Sequence, residues 1–365
     1  MKERSLFHLA ALAAGAVAGL NIVALRPPQS TSKDYQTTGL LDDQGRKWLV
    51  VAPLHDIAAR AMDTEVSFIR QLATYRDAHG ISFDVPRPQG YSSLPEGKRA
   101  MVYRSLPGDT LDLSTLEPSS PLTADLGRTI SSLHELPPSF IENLGMPSYS
   151  SEETRQDLMS KLDEAAATGS VPPALLQRWE EALEESSWWR FKTVTIHSQL
   201  RSDSLFVTDN HVVGMTDFNK AQIGDPAKDL AWLVSEAPEG LTERVFEAYH
   251  LARHDGADPY LQKRAELYGE LALLDWLLHG VQTKDATIIA DAQSMLEDLF
   301  AHIGDASFVG IERDTSVTVE SFERTIAEGE EHADDAAHTN DVVEDGDNDA
   351  TQEIAVPLGE TNPAN

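Results

Sequence analysis

The residues whose types and spacing could do chemistry lie between His197 and Asp217. Gln199 follows His197 by two positions, Ser204 comes five positions after Gln199, and Asp217 comes thirteen positions later still. Metal ions such as Mg²⁺ need hard oxygen ligands; Asp217 supplies a carboxylate, and Ser204 supplies a hydroxyl, which is the poorer ligand. Gln199 can hydrogen-bond to a substrate hydroxyl, but an amide cannot act as a general base. The segment therefore predicts one strong metal ligand, one weak metal ligand and a polar residue without acid–base function.

Short strands and one tight turn are expected to position these side chains. Apolar stretches at 193–196, 205–207 and 212–215 have the length and composition of strands. Asp209-Asn210 supplies turn chemistry between the last two stretches. We therefore expect a hairpin that ends just before the metal-binding carboxylate.

The remainder of the chain divides into a strand-rich part and a helix-rich part. Residues 22–53 predict a three-stranded meander, and Asp56 is placed to cap the helix that follows. Residues 101–103 form another short apolar strand, and beyond residue 108 apolar residues recur mainly at helical spacing. The last helix is expected to span 286–303. The pattern indicates a small sheet-rich lobe followed by a larger helical lobe.

The order of these motifs resembles the aminoglycoside and macrolide phosphotransferases of the protein-kinase-like superfamily. Members of that family carry a His-x-Asp loop, a metal-binding Asn five residues after that Asp, a hairpin and then a metal-binding Asp. The family pattern Asp-Pro-x-x-Asp-Leu-Ala stands here at 225–231, and residues 101–108 resemble the family's hinge. The segment 179–183 is also similar to uncharacterised actinobacterial members.

The resemblance spans roughly residues 20–303 and implies an α+β, two-lobed protein-kinase-like fold. It assigns residues 1–104 to an N-lobe with a helix, an antiparallel sheet, a second helix and a hinge strand. Residues 105–310 become a helical C-lobe that carries the hairpin. Residues 311–365 contain sixteen Asp and Glu against two Arg, and we expect them to form a disordered acidic tail.

The same resemblance implies roles for individual residues. Gln199 stands at the position of the catalytic Asp, which orients the acceptor hydroxyl and accepts its proton, and His197 belongs to the same loop. Asp217 and Ser204 stand at the two metal-ligand positions. The implied nucleotide-binding residues are one helix residue and three hinge residues: Glu65, Tyr103, Arg104 and Ser105. ATP and Mg²⁺ are the implied cofactors.

The departures from the family pattern predict impaired catalysis. A general base contributes about 10²–10⁴ in rate, and Gln199 cannot supply that contribution. The third strand, at 48–52, contains no cation to meet the phosphates, and Lys47 lies just before it. Without a cationic partner, Glu65 is expected to face solvent.

Three hypotheses about function stay open from the sequence. The first is an impaired phosphotransferase homologue that binds a nucleotide, a small molecule or a protein partner. The second is an active ATP-dependent kinase of a small hydroxylated compound, with an altered site in which Asp203 is a candidate replacement acid. The third is an envelope-anchored interaction protein whose apolar run at 5–25 lies in the membrane. The residues do not identify the acceptor.

Charge and composition narrow the class of partner. The 60 Asp and Glu against 29 Lys and Arg give a formal net charge of −31, which opposes nucleic-acid binding and attracts cationic small molecules. The absence of cysteine excludes disulfides and thiolate metal sites. His8 and Asn21 interrupt the apolar run at 5–25. We therefore expect that run to begin the N-lobe of a cytoplasmic protein rather than to act as a membrane anchor or secretion signal.

Overall fold

The computed structural model describes residues 4–26, 34–256, 258–304 and 306–308, so the acidic tail expected at 311–365 lies outside the described residues. The first part of the chain contains two helices and five strands: α1 (Leu6–Ala16), β1 (Ile22–Arg26), β2 (Tyr35–Asp42), β3 (Lys47–Pro53), α2 (Asp56–His79), β4 (Pro88–Ser93) and β5 (Arg99–Arg104). The strands form one antiparallel sheet in the order β1-β2-β3-β5-β4. Strands β1 to β3 are the predicted meander.

The two faces of β3 separate a packed core from an open cleft. Side chains alternate along a strand, and Trp48 and Val50 are buried on the face covered by α1, whose Leu9 is fully buried. Leu49 and Val51 point to the opposite face, toward the cleft beside α2. The apolar N-terminal run is thus packed against the sheet. In the part of the chain that the structure describes, no helix is long and apolar enough to cross a membrane.

Helix α2 begins one residue earlier than a cap at Asp56 would require. The N-cap is His55, whose Nδ1 accepts the backbone N–H of Ala58 at 3.2 Å. Asp56 lies in the first turn instead, where its charge favours the positive end of the helix dipole. The prediction of Asp56 as the cap was wrong because an imidazole nitrogen can take the same accepting role. Gly80 ends the helix with a φ of 74°, a conformation that glycine adopts readily.

The second part of the chain is mostly helical, as predicted. Its helices are α3 (Pro121–His134), α4 (Ser139–Glu142), α5 (Ser151–Ala167), α6 (Pro173–Glu184), α7 (Ala231–Glu236), α8 (Leu241–Ala252), α9 (Leu261–Thr283) and α10 (Ala286–Ile303). Helix α10 confirms the predicted last helix. Its N-terminus is capped by Asp285, which accepts the backbone N–H groups of Thr287 and Ile288.

Short strands frame the loop that carries the predicted chemistry. They are β6 (Asp109–Thr110), β7 (Val194–Ile196), β8 (Leu205–Thr208), β9 (His211–Met215) and β10 (Gln222–Gly224). Strands β8 and β9 form the predicted hairpin, and Asp209 and Asn210 between them have φ values of 47° and 62°, as a type I′ turn requires. Strand β10, which the sequence did not predict, pairs with β7 and brings the chain after the hairpin back beside the loop.

An aromatic contact joins α2 to the C-lobe. Phe218 is fully buried, and its ring centroid lies 5.3 Å from that of Phe68 in α2 and 5.0 Å from that of His197. Phe68 and Phe218 belong to the largest hydrophobic cluster, which includes residues of both lobes. The packing of Phe68 on Phe218 therefore holds Glu65 of α2 close to Asp217.

Candidate active site

A cleft of about 760 Å³ lies between the sheet and the helices and collects most of the predicted residues. The N-lobe contributes a mostly apolar wall that includes Tyr35, Leu49, Val51, Glu65 and Tyr103. The chain from β7 to the end of the hairpin contributes Gln199, Leu200, Asp203, Ser204 and Asp217. The C-lobe contributes a charged end that includes Lys161, Lys228, Trp232, Glu236 and Asp275.

Asp229 fixes the backbone of the loop after β7. Its buried carboxylate accepts the N–H groups of His197 and Ser198, each at 2.6 Å, and Nε2 of His134 lies 3.1 Å away. Ser198 has a φ of 73°, which non-glycine residues rarely adopt, so these two bonds hold an otherwise costly conformation. Burial alone would raise the pKa of Asp229, but the bonds and charge of His134 and the bond from His197 lower it. Asp229 is therefore an ionised brace for the loop.

The protonation of His197 follows from its two partners. Its Nε2 lies 2.7 Å from the carbonyl oxygen of Thr216, which can only accept, so Nε2 carries the proton. Its Nδ1 accepts the N–H of Gln199 at 3.4 Å. The fully buried ring lies beneath the cleft rather than in its lining. His197 thus ties the loop to the end of β9, and its position is structural.

Gln199 is the side chain that the braced loop presents to the cleft. It is exposed and lies in the lining between the N-lobe wall and the charged C-lobe end. Its carboxamide can donate a hydrogen bond to an acceptor oxygen or accept one from it. It cannot take a proton at neutral pH, so this point of the loop can orient a hydroxyl without activating it.

Asp217 and Asp203 bring two carboxylates to one side of the cleft. Asp217 has a φ of 67° and accepts a hydrogen bond from Oγ1 of Thr216 at 3.0 Å. Asp217 is exposed to the cleft, but the protein around its carboxylate displaces water and raises its pKa; the Thr216 bond and His197 oppose the rise, and the Asp203 charge adds to it. A cation between the two carboxylates would relieve their repulsion. Their placement therefore suits a divalent metal ion.

Ser204 is placed less favourably for a metal than the sequence predicted. Only 3% of its surface is exposed, and its carbonyl oxygen accepts the N–H of Thr216 at 2.9 Å, which joins β8 to β9. Asp203, one residue earlier, is exposed in the cleft. Sequence reasoning considered Asp203 only as a replacement acid. The short 3₁₀ turn Ser202–Ser204 that presents it to the cleft was not foreseen.

The donor set fits Mg²⁺ better than a metal held by protein alone. Within the described ranges, no group of three or more His, Asp or Glu side chains is arranged to hold a metal ion. Mg²⁺ commonly binds through one or two carboxylates and completes its octahedron with water and phosphate oxygens. Asp217 and Asp203 would be the protein ligands of such an ion.

Glu65 is half-buried at the lobe junction, so the expectation that it faces solvent was wrong. Its carboxyl lies near the backbone N–H of Phe218, which lowers its pKa, and near Asp217, which raises it. Burial, reinforced by the Asp217 charge, raises the pKa of Glu65 to about 8. The side chains of β3 that share the cleft, Leu49 and Val51, are apolar. The packing of Phe68 on Phe218 thus keeps Glu65 close to Asp217 although no cation of β3 faces it.

The three hinge residues are separated by the structure. Tyr103 lines the cleft, and its hydroxyl lies 3.0 Å from the sulfur of Met101. Arg104 and Ser105 line another groove, behind the hinge, together with Lys47. The Lys47 ammonium lies 4.0 Å from Asp109 and does not line the main cleft. A nucleotide in the cleft could therefore meet the Tyr103 side chain, but not those of the other two hinge residues.

Sequence reasoning did not foresee the lysines of the charged C-lobe end. Lys161 of α5 lies 2.7 Å from Asp275 of α9, and Arg201 lies 3.8 Å from Glu236 of α7. Lys228 lines the cleft beside them and is half-buried. These residues come from distant parts of the chain, so no local pattern could have grouped them.

Comparisons with known proteins agree with this architecture. The family model described as the phosphotransferase enzyme family (APH) matches residues 36–277. The uncharacterised protein YcbJ of Bacillus subtilis (strain 168) is 23% identical over 226 residues, which cover 61% of this chain and 74% of that protein.

Solved structures give the same result for the fold. The apoenzyme of macrolide 2′-phosphotransferase MphH from Brachybacterium faecium superposes with a TM-score of 0.66 at 23% identity, covering 80% of this chain and 97% of that chain. The GDP complex of aminoglycoside 2′-phosphotransferase-IIIa superposes with a TM-score of 0.67 at 16% identity, covering 82% and 99%. The predicted α+β, two-lobed kinase-like fold is confirmed.

Proposed function

Because the chain belongs to the phosphotransferase enzyme family, we propose that it binds ATP with Mg²⁺ between its lobes and transfers phosphate to a small-molecule hydroxyl only slowly. One contrast carries the proposal. Asp229 holds the loop backbone in place, yet the loop presents Gln199 where a proton acceptor is needed. A scaffold that is intact around a side chain without base function favours binding over fast catalysis.

The cleft offers a place for each part of the nucleotide. Leu49, Val51 and Tyr103 form an apolar wall suited to a base, and Asp217 and Asp203 lie where Mg²⁺ would bridge to the phosphates. The solved relative with GDP bound supports a nucleotide in this fold. Mg²⁺, when bound, would supply the positive charge that neutralises the transferring phosphoryl group.

Transfer requires three changes, and this chain assists only some of them. The acceptor oxygen bonds to the γ-phosphorus, the bond from that phosphorus to the bridging oxygen of ADP breaks, and the hydroxyl proton leaves. Gln199 can orient the hydroxyl, but the proton must pass to solvent or to a phosphate oxygen. Loss of a general base costs about 10²–10⁴ in rate. The apolar Leu49 and Val51 also leave the phosphates without a cation from β3.

A second candidate function rests on Asp203. Its carboxylate is exposed in the cleft, four residues after Gln199 and close enough to affect the pKa of Asp217. If Asp203 accepts the hydroxyl proton, the protein is an active small-molecule kinase with an altered site.

Formation of ADP in a panel of hydroxylated acceptors tests the two candidates. The first predicts turnover well below the roughly 1–100 s⁻¹ of kinases. In Asp203→Asn it predicts weaker Mg²⁺ binding, but no loss of turnover once Mg²⁺ is saturating. The second predicts turnover in that range, abolished in Asp203→Asn while ATP still binds. Fast turnover that survives Asp203→Asn would contradict both.

The same proposal includes a cytoplasmic location and excludes nucleic acid as a partner. ATP is abundant in the cytoplasm, and the N-terminal apolar run is occupied by packing, since Leu9 and Ala13 of α1 are fully buried in the N-lobe. The net charge of −31 repels phosphate backbones. Fractionation of tagged full-length protein tests the location, and recovery in the membrane fraction would contradict it.

A further inference from the structure

The C-lobe end of the cleft carries lysines in a protein that is otherwise strongly acidic. Lys161 projects from α5, and Lys228 from the 3₁₀ turn that precedes α7. Lys228 directly precedes Asp229, whose carboxylate holds the N–H groups of His197 and Ser198 at 2.6 Å. Lys228 is therefore built into the base of the loop that presents Gln199 to the cleft.

The charges at this end do not cancel. The Lys161 ammonium is neutralised by Asp275 at 2.7 Å. Lys228 takes part in no ion pair within 4.0 Å among the residues that the structure describes, although it is half-buried. Burial lowers the pKa of Lys228, and the nearby Lys161 adds to this, while Asp229 and Asp275 oppose it. Lysines 161 and 228 with Asp275 therefore carry one net positive charge facing the cleft.

The remaining carboxylates of the cleft do not neutralise Lys228. Glu236, at the same end, is paired with Arg201 at 3.8 Å, and the other three belong to the Mg²⁺ side. Asp203 and Asp217 are placed for Mg²⁺, and Glu65 faces the same side. Net protein charge acts over distances at which salt screens it, with a Debye length of about 8 Å, whereas Lys228 acts in contact. The acidity of the whole chain therefore does not decide what binds beside Lys228.

We infer that Lys228 and Lys161 form a subsite for an anionic group of the acceptor, so that the small molecule bound beside Gln199 is a hydroxylated carboxylate or phosphate ester rather than an aminoglycoside-like polycation. The inference rests on the proposed function only in taking this cleft as the small-molecule site. A hydroxyl directed at Gln199 and an anionic group directed at Lys228 would orient the molecule between the loop and α5.

Three probes with one carbon skeleton test whether the subsite prefers a negative, a neutral or a positive group. They are gluconate, which ends in a carboxylate, sorbitol, which ends in a hydroxymethyl group, and glucamine, which ends in an ammonium group. Their affinities for the full-length protein are measured by ligand-observed NMR titration at constant ionic strength. We expect gluconate to bind at least about tenfold more tightly than sorbitol, and glucamine most weakly, since a hydrogen bond to a charged group contributes more than a neutral one. Equal binding, no binding of gluconate or preference for glucamine would overturn the inference.

Substitutions of single lysines show which residue causes the preference for gluconate over sorbitol. Lys228→Met should abolish it and Lys228→Arg should keep it, while Lys192→Met, which removes an exposed lysine paired with Asp255, should leave it unchanged. A thermal melt of each variant confirms folding. If Lys228→Met does not fold, Lys161→Met must reduce the preference for the inference to stand.

Saturating ADP with Mg²⁺ separates the acceptor from the nucleotide as the source of the anionic group. Gluconate binding that persists with ADP supports a distinct subsite, and gluconate displaced by ADP would show that the lysines serve the nucleotide phosphates, which overturns the inference. Failure of ADP itself to bind would contradict the proposed function, while the gluconate series would still decide the sign of the subsite.

Discussion

The carboxyl group of Glu65 in α2 meets the backbone N–H of Phe218 and the carboxylate of Asp217 at the junction of the lobes. In a kinase-like cleft this helix glutamate would pair with a cation on the third strand. Here β3 presents Leu49 and Val51 to the cleft, and the pKa of Glu65 rises to about 8. The lobe junction is therefore held by a mostly protonated carboxyl group at neutral pH.

This relationship predicts an unusual dependence of stability on pH in metal-free protein. The folded-state pKa of Glu65 lies above its unfolded value of 4.5, so between these values the folded state holds a proton that the unfolded state releases. The Glu65 contribution to the free energy of unfolding therefore falls as pH rises from about 4.5 to about 8. Glu65→Gln, which mimics the protonated form, should remove that slope.

Urea denaturation with EDTA at several pH values across this window measures the slope as the difference between wild type and variant. Glu142→Gln, at an exposed position of α4, is the matched control and should keep the wild-type slope. Parallel curves for wild type and Glu65→Gln would contradict the assignment of a raised pKa to Glu65.

The brace at Asp229 predicts a large loss of stability on a small chemical change. Asp229→Asn keeps the shape but removes the charge that accepts from His197 and Ser198 and faces His134. Breaking a buried, charged pair typically costs roughly 3–5 kcal/mol. The exposed Asp298→Asn in α10 should change the free energy of unfolding by less than about 0.5 kcal/mol. Equal stabilities of the two variants in urea would contradict the brace.

A carboxylate restored at position 199 is not expected to give fast phosphate transfer by itself. Gln199→Asp places a carboxylate on a correctly held loop, but the phosphates still lack a cation from β3. Val51→Lys supplies one on the cleft face and away from the hinge, since Val51 pairs with Met101 while Leu49 pairs with the hinge residue Tyr103. We expect each single change to raise ADP formation less than about tenfold and the double change to exceed the product of the two.

Fast turnover in the single variant Gln199→Asp would contradict this expectation. If Gln199→Asp alone brought turnover to roughly 1 s⁻¹ or more, Gln199 would be the sole defect and the apolar β3 face would not matter. Gln199→Glu is the control that adds the same charge on a side chain one methylene longer than that of Asp, and it should leave turnover unchanged.

Local signals explain why much of the fold was predictable. Asp209 and Asn210 tolerate positive φ, which specifies the hairpin turn, and Asp285 caps α10 through adjacent backbone N–H groups. The cap of α2 failed at the same local level, because His55 and Asp56 are both able to accept and the sequence does not rank them.

The electrostatics of the site were beyond local reasoning. Glu65 is half-buried at the lobe junction because Phe68 packs on Phe218, and those residues come from different lobes. Lys228 belongs to the cleft because α5, α7 and α9 converge there. The positions at 197, 199 and 217 could be read from a motif, whereas the charges around them depend on contacts between distant segments.

Calorimetric titration of ATP into the full-length protein, with Mg²⁺ and with EDTA, tests the central claim most directly. We predict binding that strengthens at least about tenfold with Mg²⁺ in wild type and in the surface variant Asp298→Asn, with that gain lost in Asp217→Asn. Absence of binding in both conditions would contradict the claim that this cleft binds a nucleotide. Binding that ignores both Mg²⁺ and Asp217→Asn would contradict the assigned metal ligand.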